Sequence, residues 1–331
     1  MPRLLLSALF LTLPVVTRAA DPAAFLPAET DAVVTIQARR VSESELGQKL
    51  GPDLMKRLLR ASKPAADAVT ATGLDPLRDF DLITVGVDLD QAGTYKPFAL
   101  FEGKFDVKKV EESVSAYMKD HPDKVQPITV GGKPAYKLPG HKPEETMYAA
   151  ILDDARLAVA PEEKDLTGAF AAAAGTRKPV ISRELAGLLA TAKSPAPIFV
   201  RAWVKGRFSD LKLSNEQLRT RLQGVDWMTA AVAVNKDVAV TITVNTPDEA
   251  AARQLSDIVG GVLGLVKIQI RAAAEDQPEL WPVSDLLRSA KVTPTGRLLV
   301  ATGSVKGEAI EKALNAPPAT KGTPKAGAKK K

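Results

Sequence analysis

Trp227-Met228-Thr229-Ala230-Ala231-Val232-Ala233-Val234, Asn235-Lys236-Asp237 and Val238-Ala239-Val240-Thr241-Ile242-Thr243-Val244 stand in direct succession. Two β-branched runs with alternating character flank a short polar turn, which is the pattern of an antiparallel hairpin. Immediately afterwards Thr246-Pro247-Asp248-Glu249 supplies a cap, a proline for the first turn and early acids, so a long helix begins there. A hairpin feeding a helix places the chain in the α+β class, with an antiparallel sheet and amphipathic helices packed on one face.

Working outward from this hairpin, the pattern predicts a helix from about Ser214 to Gln223, a strand from Ile198 to Val204 and a helix from Ser182 to Ala192. Gly175-Thr176-Arg177-Lys178-Pro179 is a polar break between helical patterns and marks a boundary between an N-terminal unit, 21–175, and a C-terminal unit, 176–314. In the first unit, strands are expected at Ala32–Ala38, Phe80–Leu89 and Pro97–Phe105. Hairpins are expected around Gly131-Gly132 and around Asp153-Asp154-Ala155. Helices are expected from Ser42 to Thr72, divided at Pro64, from Val107 to Lys119 and from Glu162 to Ala174. Gly103-Lys104-Phe105-Asp106 and Gly303-Ser304-Val305-Lys306 each lead into a helix with apolar residues at the same offsets. That echo fits two related split-βαβ-like units, and it equally fits the pattern shared by any strand-to-helix transition.

Arg3, the apolar run Leu4–Val16 and the small residues before Asp21 have the order of a cleaved signal peptide, 1–20. The run is shorter than the roughly 20 residues that span a bilayer, so no transmembrane span is expected after cleavage and the protein is placed in the periplasm or outside the cell. With no cysteine, the chain has no disulfide, no thiolate nucleophile, no thiolate metal site and no lipoprotein anchor. The net charge of +6 resides at the ends. Arg3 and Arg18 belong to the leader, and Lys321, Lys325, Lys329, Lys330 and Lys331 belong to a tail, 315–331, without a large apolar residue. Such a segment cannot offset its ordering entropy and reads as disordered. Its five lysines are the candidate surface-binding residues, suited to weak contact with an anionic surface but lacking the aromatic or arginine partners of specific nucleic-acid recognition.

No catalytic, cofactor or metal set emerges from the remaining polar residues. His121 and His141 lie beside prolines with no metal-ligand spacing around them. Asp79, Asp81, Asp88 and Asp90 bracket a strand, but alternation sends Asp81 and Asp88 to opposite faces. Ser209-x-x-Lys212 has nucleophile spacing without its companion motifs and reads as a turn or cap. Gly260, Gly261 and Gly264, in an apolar stretch holding Lys267, read as the buried part of the long helix, lying close against the sheet. Trp203, Trp227 and Trp281 read as core or rim.

At Leu26-Pro27-Ala28-Glu29-Thr30-Asp31 the mature N-terminus resembles a broad group of uncharacterised exported bacterial proteins of the kind common in planctomycetes. The resemblance covers about ten residues; it implies location and architecture and transfers no site. Three functions follow for testing. The first is a noncatalytic binding or structural protein of the cell envelope, its partner an unknown protein or polymer. The second is an extracytoplasmic hydrolase built from distant carboxylates, and the third an anionic-surface binder acting through the tail. An apolar groove favours the first and a concave pocket of ionisable groups the second.

Overall fold

A computed structural model of the chain describes residues 21–89, 95–140, 145–208 and 216–316. The leader, Asp90, His141, the Ser209–Lys212 motif and the five tail lysines lie outside the described residues. Twelve strands form one antiparallel sheet. In chain order they are β1 (Ala32–Ile36), β2 (Phe80–Leu89), β3 (Tyr95–Gly103), β4 (Gln126–Val130), β5 (Lys133–Pro139), β6 (Thr146–Asp153), β7 (Arg156–Ala160), β8 (Ile198–Trp203), β9 (Trp227–Val234), β10 (Val238–Asn245), β11 (Lys291–Thr295) and β12 (Leu298–Val305). Across the sheet they run β11-β12-β10-β9-β8-β1-β2-β3-β7-β6-β5-β4.

That order contains a repeat. Outward from the central β1–β8 pair, β1-β2-β3-β7-β6 on one side matches β8-β9-β10-β12-β11 on the other, and the hairpin β4–β5 extends the first side. β3 therefore corresponds to β10, and each hands over to a helix with an aspartate cap. Asp106 accepts from the Lys109 amide at the start of α4 (Val107–Asp120), and Asp248 accepts from the Ala251 amide at the start of α8 (Glu249–Asp276). The echo between Gly103 and Gly303 joins positions that do not correspond, since Gly103 ends the third strand of its set and Gly303 lies in β12, the fourth strand of the other.

The remaining helices are α1 (Ala38–Ser42), α2 (Glu45–Ala61), α3 (Lys63–Thr72), α5 (Glu163–Ala173), α6 (Arg183–Thr191), α7 (Glu216–Gln223), α9 (Trp281–Ser289) and α10 (Gly307–Asn315), with a 3-10 turn at Pro22–Ala24. On one face of the sheet, α3 and α4 bury Ala71, Val110, Val114 and Tyr117 around Phe80, while Leu255 of α8 and Val225, just after α7, pack over Ala32, Ala202 and Leu299. On the other face Phe25 and Leu26 are fully buried with Leu166 of α5, Leu185 of α6 and Phe98 and Leu100 of β3. Beyond β8 the second half keeps its helices on one face, and the first half adds this second layer. The division expected at Pro64 falls at Ser62, whose hydroxyl caps α3, and Pro64 sits in that helix's first turn where its missing N–H costs nothing.

Both edges of the sheet carry a proline, Pro127 in β4 and Pro294 in β11. Proline is tolerated at an edge, where a missing N–H removes no ladder bond, and it blunts strand addition there. Two glycines separate space from freedom. A Cβ on Gly103 would lie 1.9 Å from the Asp79 carbonyl oxygen, whereas one on Gly187 in α6 would meet nothing within 4 Å. In urea unfolding, Gly187→Ala is expected to add about 0.5–1 kcal/mol, the ordinary helix gain, and Gly103→Ala to lose about 1–3 kcal/mol by forcing β2 and β3 apart.

Candidate functional site

The face that carries α3, α4, α7 and α8 holds two cross-strand rows that, among the described residues, no helix covers. Strand alternation sends Val34 of β1 to this face, and direct pairing aligns it with Val85, Val200, Ala230 and Ile242 across five strands. The next row is Ile36, Ile198, Val232 and Val240, continued into the core at Ile83. All are only partly buried, and except for Ile83 none belongs to a packed cluster. With strands about 4.8 Å apart, this floor is about 19 Å wide.

Its borders are helical. At one end Ala32, Ala202, Met228 and Val244 continue the floor beneath α7 and α8. At the other, α3 and α4 cover Ile83 and Phe101. α9 lies over β12, where a Cβ on Gly303 would sit 2.8 Å from Leu286. The side chains of the two rows are all aliphatic, so they offer contact area and no polar recognition. Beyond Trp227 the reverse side of β9 and β10 is polar or small by contrast, with Thr241 and Ala239 exposed. Burying an aliphatic side chain is worth about 1.5–3 kcal/mol, of which these positions have realised only part.

A second candidate lies on the opposite face. Pro27, Glu29, Thr30, Asp88, Pro161, Glu162, Lys164 and Asp165 line a cavity of about 130 Å³. Four carboxylates from three separated stretches thus converge, at the first turn of α5. Asp165 is 6 % exposed, and burial, reinforced by Glu162, pushes its carboxyl up to about 6. Lys164 bridges Glu162 at 2.9 Å and Glu29 at 3.7 Å. Arg177 donates to the Phe25 and Leu26 carbonyls at 3.3 and 3.2 Å, and its guanidinium is lowered from its ordinary value by burial. The cavity falls below the roughly 300 Å³ of a small-molecule site. Among the described residues no group of histidine and acidic side chains has metal-binding geometry.

Asp81 pairs with Arg39 on the floor side of β2 and Asp88 points to the cavity on the other side, the separation that alternation demands. His121 caps the end of α4 beside the Tyr117 ring, 4.4 Å between centroids. Trp203 and Trp227 face each other across β8 and β9, packed against the core, and Trp281 is part-exposed under Lys312. Gly260, Gly261 and Gly264 do not approach the sheet. They sit on the solvent side of α8 with nothing within 4 Å, because Leu255, Val259 and Ala274 define its inner face. On the opposite face Arg201 donates to Thr35 at 2.5 Å and lies over Phe199. The floor itself was missed from sequence because its residues look like any half-buried strand until strand order places them side by side.

Among the described residues no helix is long and apolar enough to cross a membrane. In comparisons with known proteins the chain matches no family model, no curated protein and no solved structure.

The raised Asp165 carboxyl has a definite sign. The fold holds this proton up to about pH 6, and the unfolded chain releases it near 3.8, so ionisation opposes folding and stability declines between these two values. Asp165→Asn should remove that decline, leaving stability near pH 4 almost unchanged and raising it at pH 8 by about 1–2 kcal/mol in urea titrations.

Proposed function

We propose that this is an exported, noncatalytic binding protein of the cell envelope whose open sheet face takes up an apolar ligand of acyl-chain type. The observation that carries the reading is the pair of uncovered aliphatic rows from β2 to β10. A surface without donors, acceptors or charge cannot orient a polar substrate, but it gains about 0.8 kcal/mol for each methylene it removes from water. Its borders of packed helices suit an elongated ligand better than a flat partner. The carboxylate cavity supports a hydrolase less well, being too small for a substrate and partly neutralised by Lys164.

The test uses a dansyl-labelled fatty acid and displacement by unlabelled palmitate. Saturable binding is expected, and Ala230→Lys and Ile242→Glu should each weaken it about tenfold or more by setting a charge in the apolar floor. Their urea midpoints and circular dichroism should stay near those of the unaltered protein, since both positions are partly exposed. Failure of the unaltered protein to bind the probe, or binding indifferent to both substitutions, would rule the proposal out.

A further inference from the structure

The long helix α8 carries a stripe on its solvent side that the described residues leave bare. Leu265 and Ile268 are 66 % and 70 % exposed, next to Val262 and the open Gly260 and Gly264. Large apolar side chains standing this far into water on an ordered helix mark an interaction surface. The charges at either end of the stripe indicate what covers it.

Arg253, Asp257, Gly260, Gly264, Ile268, Arg271 and Glu275 are all exposed and follow one another at helical steps of three and four. Read from Gly264 in both directions, the stripe is complementary to its own reverse. An antiparallel second copy centred on Gly264 sets Gly264 against Gly264, the bulky Ile268 against the open Gly260, Asp257 against Arg271 and Arg253 against Glu275. Each of the last three contacts is made twice, as a two-fold interface requires. A parallel pair would instead bring each charge against its own copy. Arg253 pairs with Glu249 of its own helix, and among the described residues Asp257, Arg271 and Glu275 form no ion pair. The stripe carries two positive and two negative residues, unlike the Lys/Arg-rich face of a helix that lies on a membrane surface.

We propose that α8 is a self-association surface, joining two copies of this chain through antiparallel packing of this stripe about Gly264. The glycines allow close approach of the two backbones, Ile268 fills the space left at Gly260 of the other copy, and the flanking charges fix direction and register.

Sedimentation of the full chain across the micromolar range tests this, with a concentration-dependent doubling of mass expected. Asp257→Arg should weaken association about tenfold or more, and Asp257→Arg combined with Arg271→Asp should restore it to within about threefold, because the exchanged charges meet again across the two-fold. All the substituted side chains are exposed, so folding is retained. The absence of cysteine gives a second measurement. Gly264→Cys should form a covalent dimer on oxidation, and Asp257→Cys should not, since its symmetry mate would lie about 20 Å away along the helix. A chain that stays monomeric, charge exchange that fails to restore association, or equal cross-linking at both positions would overturn the proposal. A monomer that binds phosphatidylcholine–phosphatidylglycerol vesicles through Leu265 and Ile268 would assign the stripe to a lipid surface and overturn it as well.

Discussion

The pairing of β1 with both β2 and β8 is the contact on which the architecture rests. Five residues, Ala32 to Ile36, carry the ladder that joins the two sets of strands, and they align with Ile198–Ala202 on one side and Ile83–Val87 on the other. Asp31 extends the junction by pairing with Arg207 at 2.6 Å, and its backbone carbonyl accepts from Trp203. Arg201 adds a bond to Thr35 across 166 residues of sequence. Such long loop closure has to precede any reward from contact, so this seam is expected to form late, after the local hairpins on either side.

The N-terminal arm depends on the same seam. Phe25 and Leu26 are completely buried over the first half of the sheet, and Leu26 together with Thr30 fills the space above Gly86, where a Cβ would lie 2.8 Å from the leucine side chain. Arg177 ties down the carbonyls of both residues. The short stretch before β1 thus closes one face of the sheet, whereas the other face stays open at the apolar floor. One side of β1 is consumed by folding and the other is left for an occupant.

Local order was legible in the sequence wherever periodicity and turn chemistry agree. The hairpin around Asn235-Lys236-Asp237 and the Gly131-Gly132 turn lie where residue pattern places them, since alternation and turn residues act within a few positions, whereas α8 starts two residues later than Thr246-Pro247 predicts, with Asp248 as its cap and Pro247 ahead of the helix. The strand order did not announce itself, because Val34 carries no mark that it will stand beside Val200 rather than elsewhere. For the same reason neither the apolar floor nor the cavity around Asp165 could be assembled from a linear reading. The glycines of α8 were misplaced for a different cause: on a helix without a steep apolar face, composition does not say which side meets the sheet, and the packing of Leu255 and Val259 decides it.

The prolines at the two rims of the sheet have a consequence for how the molecule can be recognised. Many receptors and chaperones capture a partner by adding its extended segment as one more strand, with main-chain hydrogen bonds supplying the affinity. Pro127 and Pro294 interrupt that template at both ends, so the ladder of twelve strands is a closed account for backbone recognition. Selectivity must then come from side-chain surfaces, read by shape and solvation rather than by peptide geometry.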